Sequence, residues 1–85
     1  MREIETMDEF REAKERGTGY LLITDVANGN KIHKLDCAHV KEEYFQKKVL
    51  DEKCKNGNYY LIDDIEGAMQ RYDADVCAKC MKEPL

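Results

Sequence analysis

The sequence lacks any apolar run near the ~20 residues that a membrane-spanning helix needs. Its start, Met1-Arg2-Glu3-Ile4-Glu5, has neither the basic stretch nor the apolar core of a signal peptide. These absences predict a cytoplasmic protein with no membrane partner. There is also no Gly-rich phosphate loop and no recognisable Ser/His/Asp set, so we expect no enzymatic activity and no small-molecule substrate.

Excess positive charge is missing as well, because the formal net charge is −4. Nonspecific binding of nucleic acid depends on basic surface, so the overall balance argues against it. Residues 31–55 are the exception, with seven lysines against five acidic residues. This segment predicts either a solvated helix face or a local basic surface that binds DNA or RNA, with Tyr59 or Tyr60 stacking on bases. The lysines are Lys31, Lys34, Lys41, Lys47, Lys48, Lys53 and Lys55.

The chain is short, and its 85 residues predict one domain spanning 1–85. A chain of this size buries too little apolar surface to be very stable alone, and such scaffolds use a metal, disulfides or a partner. Four cysteines are present, and a cytosolic protein keeps its thiols reduced. We therefore favour a structural zinc, whose binding can supply roughly 10–16 kcal/mol.

Local patterns predict an α+β fold, with a small three-stranded antiparallel sheet, packed helices and one zinc site at an edge. Thr6 and Glu9 form a capping box before a helix, and Asp63 with Glu66 is interpreted as a second one. Asn28-Gly29 predicts a hairpin, because both residues tolerate positive φ. The predicted order is helix 7–16, strand 20–24, strand 31–35, helix 40–53, strand 59–62, a helix from Ile65, and a C-terminal cysteine turn.

Two short clusters carry the metal-binding prediction. His33 and Cys37 follow a His-x-x-x-Cys spacing, and Cys77 and Cys80 follow a Cys-x-x-Cys spacing. One imidazole and three thiolates complete the tetrahedral shell of a structural zinc ion. The two clusters lie far apart in sequence, but the entropy cost of closing such a loop rises only slowly with its length. Zinc would thus join a hairpin strand to the C-terminal turn.

Alternatives to this ligand set remain open. His39 is the rival nitrogen ligand, two residues past Cys37. Cys54 would make a four-cysteine site instead, although an ordinary, partly buried thiol is the simpler interpretation. A redox dithiol shares the Cys-x-x-Cys spacing of Cys77 and Cys80. It would need a strand before the motif in a βαβ unit, and the sequence pattern suggests no such unit.

These residues carry a resemblance to a known family. Lys31-Ile32-His33-Lys34-Leu35-Asp36-Cys37, the helical stretch 65–72 and Cys77-Ala78-Lys79-Cys80 resemble the Ada-type metal-binding domain, the zinc domain of a bacterial DNA alkylation-repair protein. The resemblance covers residues 31–82, and the N-terminal helix and strand within 1–30 lie outside it. It implies a zinc ion held by His33, Cys37, Cys77 and Cys80.

The chain departs from that family at informative positions. His33 stands where the family has the cysteine whose thiolate accepts a methyl group from DNA, which argues against methyl transfer. Leu35-Asp36 and Asp75-Val76 stand where Arg-Pro is usual, so basic residues that could face phosphate are missing. We therefore expect a non-enzymatic zinc module that recognises a protein or nucleic-acid partner. An accessory DNA- or RNA-binding domain and a thiolate methyl acceptor are the alternatives.

Overall fold

The computed structural model describes residues 1–37 and 40–78. The strands are β1 (Arg2–Ile4), β2 (Tyr20–Ile23), β3 (Lys31–Lys34), β4 (Tyr59–Ile62) and β5 (Asp75–Val76), and the helices are α1 (Met7–Arg16), α2 (Glu42–Phe45) and α3 (Ile65–Tyr72). Along the chain the order is β1-α1-β2-β3-α2-β4-α3-β5. Helix α2 continues directly as a π-helical segment, Gln46–Asp51. Within this part of the chain, no helix combines the length and apolarity needed to cross a membrane.

The strands form one five-stranded mixed sheet in the order β1-β4-β2-β3-β5. The α+β class is confirmed, but the expected three-stranded antiparallel sheet is wrong. Strand β1 has three residues and β5 has two, so neither is long enough to show the alternation that identifies a strand in sequence. Strand β5 pairs with β3 in parallel, whereas the other pairs are antiparallel.

The strand directions create a βαβ unit that the sequence pattern did not suggest. Strand β2 is antiparallel to both β3 and β4, so β3 and β4 run the same way. Because β5 is parallel to β3, the connection from β4 through α3 to β5 is a crossover between strands of one direction. Helix α3 thereby places β5 at the edge of the sheet, directly before Cys77.

Apolar residues on both faces of the sheet are covered. Leu21 faces His33 and Leu61 across its two neighbouring strands, and Leu21 and Leu61 belong to the larger core under α1 and α2. Leu22 faces the opposite side, where α3 packs. The larger cluster contains Ile4, Phe10, Ala13, Leu21, Leu35, Cys37, Val40, Phe45, Val49, Tyr59, Leu61 and Cys77. The smaller cluster contains Leu22, Ile32, Ile62, Ala68 and Ala74.

Helix α1 confirms the predicted span and its capping box. The backbone N–H of Glu9 donates to Thr6 Oγ1 at 3.1 Å, and the Glu9 carboxylate accepts from the Thr6 N–H at 3.1 Å. The cap assigned to the last helix was wrong by one residue. Asp64, not Asp63, accepts from the Gly67 N–H at 3.1 Å, because the helix begins at Ile65 and the cap must precede it.

The helix predicted over 40–53 is shorter and partly π-helical, spanning Glu42 to Asp51. Helical spacing predicts Tyr44 on one face with Val40, Val49 and Leu50, with Phe45 at the flank. Tyr44 is instead 50% exposed, whereas Phe45 is fully buried. Phe45 faces inward because its ring stacks on Phe10 at 4.7 Å and meets Tyr59 edge-on at 5.1 Å. The aromatic partners, not the helical period, determine which residue faces the core.

The β2–β3 hairpin is confirmed, although its connection is a loop over residues 24–30. Of the two residues expected to tolerate positive φ, only Gly29 adopts it, at +88°. The Asp25 carboxylate organises the loop by accepting from the N–H groups of Ala27 at 2.9 Å and Asn28 at 2.8 Å. Its other oxygen pairs with Lys48 Nζ at 2.8 Å, which fixes the π-helical segment to the hairpin.

This ion pair predicts a pH dependence of stability. The hydrogen bond from Lys48 lowers the pKa of Asp25 from its ordinary 3.8 to about 2, against the opposing effect of burial. A carboxyl whose pKa is lower in the folded state stabilises the fold fully above its unfolded pKa, and it loses that contribution as pH falls through the folded pKa. We expect about 1–2 kcal/mol of stability from Asp25 to disappear between about pH 4 and pH 2.

Urea unfolding of the wild type and Asp25→Asn, followed from pH 7 to pH 2, measures this loss. The wild type should be more stable than the variant at neutral pH, and the difference should shrink as the pH drops below about 4. A difference that stays constant down to pH 2 would show that the Asp25 charge does not stabilise the fold.

Candidate metal centre

His33 is the third residue of β3, and the strand determines its orientation. Its register partner on β2 is Leu21, which is fully buried in the larger core. Partners across an antiparallel pair share one face of the sheet, so the imidazole lies on the side covered by α1 and α2. The side chain is half-buried, and its Nδ1 atom is inaccessible to solvent. An imidazole in this position can offer a nitrogen to a metal from beneath the surface.

Cys37 reaches the same place through a tight turn. The chain leaves β3 at Lys34, and the Cys37 N–H donates to the Lys34 carbonyl at 3.1 Å. The Val40 N–H in turn donates to the Cys37 carbonyl at 3.0 Å. This turn brings Cys37 back toward the imidazole of His33. It explains how a His-x-x-x-Cys spacing can place both side chains at one site.

Cys77 arrives from the other end of the chain. It directly follows β5, and its N–H donates to the Ile32 carbonyl at 2.8 Å. Because Ile32 pairs with Val76, the parallel register continues so that Cys77 lies beside His33. The crossover through α3 thus brings residues 33 and 77 together at one edge of the sheet.

Together these three residues form a compact ligand cluster. The ligand atoms of His33, Cys37 and Cys77 all lie within 4.8 Å of one another. Ligands around one tetrahedral zinc ion lie about 3.5–3.8 Å apart, so a contraction of no more than about 1 Å would bring the set to binding distance. Cys37 is 3% exposed and Cys77 is 7% exposed, which shields such an ion from solvent. The chemistry of the set, thiolates with an imidazole, suits a borderline-soft metal.

The structure brings together the predicted residues His33, Cys37 and Cys77. The fourth predicted ligand, Cys80, and the rival nitrogen ligand, His39, lie outside the described residues. Within residues 1–37 and 40–78, none of the three cysteines is in a disulfide with another. The cluster therefore supplies three ligands from two distant segments of the chain.

Cys54 lies apart from this cluster. It follows the π-helical segment with a positive φ of 62°. Burial raises the pKa of its thiol above the ordinary value, and the nearby carboxylates of Glu3 and Glu5 raise it further. A metal ligand must be a thiolate, so this environment disfavours Cys54 as a ligand.

The βαβ unit changes one argument about Cys77 and Cys80. The sequence pattern suggested no strand before the Cys-x-x-Cys motif, but β5 precedes it within a crossover. A redox dithiol therefore has part of its usual setting here. The metal interpretation now depends on a different observation, which is that His33 and Cys37 lie against Cys77. A dithiol couple has no need of an imidazole and a third thiol at this distance.

Two side chains that sequence reasoning missed position the cluster. Lys14 Nζ, from α1, donates to the Val40 carbonyl at 3.0 Å and so braces the turn that carries Cys37. Asn30 Nδ2 donates to the Tyr72 carbonyl at 2.6 Å, which ties the end of α3 to the start of β3. Neither residue belongs to a recognisable motif, so only the tertiary contacts reveal these roles.

The lysines of residues 31–55 are distributed over different elements. Lys48 is committed to Asp25, and Lys31 lies 3.9 Å from the Asp75 carboxylate. The two tyrosines expected to stack on bases are also engaged, since Tyr59 is 3% exposed in the core and the Tyr60 ring lies 5.8 Å from that of Tyr72. The described geometry thus supplies no observation that favours a nucleic-acid surface built on these tyrosines.

Comparison with known proteins adds no identification. The chain matches no protein-family model, no curated protein and no solved structure at a significant level. The functional argument therefore depends on the geometry of the His33, Cys37 and Cys77 cluster.

Proposed function

We propose that this chain is a non-enzymatic zinc-binding module in which one structural Zn²⁺ joins the β3 turn to β5. The observation that carries the proposal is the cluster itself, with the ligand atoms of His33, Cys37 and Cys77 within 4.8 Å of one another. Cys80 is the proposed fourth ligand, since it completes a Cys-x-x-Cys pair with Cys77. The surface around the module would recognise a macromolecular partner.

The donor types support zinc and a structural role. Two buried thiols and an imidazole match the ligands of structural zinc, whereas oxygen ligands would favour magnesium or calcium. The described cluster contains no carboxylate that could serve as a general base beside the metal. Catalytic zinc also keeps one position open for water or substrate, but Cys80 would fill that position.

Membership of the Ada-type metal-binding domains is part of the same proposal. It is supported by the ligand spacing and by the union of the two ligand segments in space. Methyl transfer is not supported, because His33 replaces the acceptor cysteine and the thiols of Cys37 and Cys77 are buried. A methylated phosphate would have to reach those sulfurs through the packed edge of the sheet.

Native mass spectrometry with elemental analysis tests the metal proposal. The purified wild type should carry one zinc ion per chain. His33→Ala, Cys37→Ser and Cys77→Ser should each lower this occupancy severalfold, because each removes a direct ligand. Cys54→Ser is the matched control, since it removes a thiol outside the cluster, and it should keep full occupancy.

Two results would contradict the proposal. One is a wild type that binds no zinc under conditions where it is folded. The other is a loss of zinc in Cys54→Ser together with retention in His33→Ala, which would show that the ligands are assigned to the wrong residues.

A further inference from the structure

Strand β5 is the most weakly supported element of the sheet. It has two residues, Asp75 and Val76, whereas typical strands have about five or six. The Asp75 N–H donates to the Asn30 carbonyl at 3.0 Å, and the Cys77 N–H donates to the Ile32 carbonyl at 2.8 Å. Cys77 is therefore both the last backbone link of β5 to β3 and a member of the ligand cluster. A metal held by Cys77 would fix the strand at this point.

Strand β5 also covers the edge of β3. In the order β1-β4-β2-β3-β5, β3 becomes the edge of the sheet if β5 leaves. An edge strand presents unpaired N–H and C=O groups that can pair with an added strand. The exposed edge would include Ile32, which is fully buried while β5 is in place. Release of β5 would therefore create a strand edge that can bind another strand.

Charge indicates which kind of strand this edge would accept. Lys31 and Lys34 flank the central residues of β3. Lys31 lies 3.9 Å from Asp75 of β5, with both side chains largely exposed. An added strand that repeats the pairing of β5 would place a carboxylate opposite Lys31, and opposite charges that face each other stabilise a sheet. A second copy of β3 has lysines at both ends instead, so the edge favours an acidic, extended segment.

We propose that zinc controls access to this edge: metal release frees β5, and the uncovered edge of β3 then binds an acidic, extended segment of a partner protein. The inference depends on the proposed zinc function. In the zinc-bound form, β5 itself occupies the edge and blocks the partner. The partner segment would resemble β5, with a carboxylate opposite Lys31 and an apolar residue opposite Ile32.

Amide hydrogen exchange on the full-length chain, with and without zinc, tests the release of β5. Removing zinc should increase exchange of the Asp75 and Cys77 amides by at least about tenfold, because local opening exposes them. The Thr24 amide, which donates to the Asn58 carbonyl at 2.9 Å on the far side of β2, is the internal control and should change little. Equal protection of Asp75 and Cys77 in both forms would overturn the proposal, as would loss of protection at Thr24 as well.

A peptide titration tests the partner site. The probe is a synthetic peptide with the sequence of residues 71–78 carrying Cys77→Ser, added to the ¹⁵N-labelled full-length chain. The metal-free protein should show shifts of the β3 amides and bind at least about tenfold tighter than the zinc-bound form. A probe that also carries Asp75→Lys, or a protein with Lys31→Glu, should bind more weakly. Equal binding to both forms, or no binding to the metal-free form, would overturn the proposal.

Failure of this inference can be distinguished from failure of the zinc function. A protein that binds one zinc ion but keeps β5 protected without it retains the zinc function and loses the switch. A protein that binds no zinc loses both. Elemental analysis of the same samples separates the two cases.

Discussion

Phe45→Ala is expected to remove a large part of the free energy of unfolding of this chain. The Phe45 ring is fully buried, stacks on Phe10 at 4.7 Å and contacts Tyr59 edge-on at 5.1 Å. Truncating a buried phenylalanine to alanine costs about 3–5 kcal/mol, because the apolar transfer energy is lost and a cavity remains. A domain of this size is stable by only about 4–13 kcal/mol in total, so one side chain removes much of it.

The residue next to it provides the matched control. Tyr44 is 50% exposed and lies one position earlier in α2. Tyr44→Ala should change stability by less than about 1 kcal/mol, as surface substitutions generally do. Thermal unfolding by circular dichroism compares the two, and Phe45→Ala should lower Tm by at least about 8 °C relative to Tyr44→Ala. Similar losses from both variants would mean that the helix faces the core differently from the described structure.

Tyr44 and Phe45 also show that helical periodicity alone could not predict which side of α2 faces the core. Helical periodicity found the segment but placed Tyr44 inside and Phe45 at the flank, because α2 starts only at Glu42 and turns into a π-helix at Gln46. A change of helical type alters the direction in which every following side chain points from the helix axis, and no local sequence pattern indicates it. The aromatic contacts with Phe10 and Tyr59, which come from distant parts of the chain, settle the orientation.

Predictions from the first capping box and the hairpin motif were more accurate, because these motifs depend on a few residues that are close together in sequence. The Thr6 and Glu9 box gave the start of α1, and Gly29 gave the position of the hairpin. The strands β1 and β5 were missed for the opposite reason. Each is too short to have a pattern of its own, and each exists only because a neighbouring strand offers it hydrogen-bonding partners.

Three residues of the candidate site could be selected from the sequence, but the contacts that bring them together could not. Ligand chemistry restricts a thiolate site to few residue types and spacings, so His33, Cys37 and Cys77 could be selected from sequence alone. The crossover that brings Cys77 beside His33 could not, since it depends on the direction of β5. The same holds for Lys14, whose contact with the Val40 carbonyl is purely tertiary.

Zinc is expected to raise the unfolding temperature of the wild type, and Cys77→Ser should abolish this response. A ligand that binds only the folded state stabilises it by about 1.4 kcal/mol for each tenfold rise in its free concentration, or about 4 kcal/mol at a thousand times Kd. For a domain of this size that corresponds to a rise in Tm of at least about 16 °C. Cys77 is the decisive position, because its side chain joins the cluster and its N–H joins β5 to β3.

Calorimetric unfolding at buffered free zinc concentrations measures the effect. Tm of the wild type and of Cys54→Ser should rise with the logarithm of free zinc, while Tm of Cys77→Ser should stay flat. The larger core joins α1, α2 and the sheet through residues such as Phe10, Leu21 and Phe45, which lie outside the ligand set. Metal-free wild type should therefore still unfold cooperatively, at a lower temperature. A wild-type Tm that is independent of zinc, or a Cys77→Ser variant that responds like the wild type, would show that no ion joins the two ends of this fold.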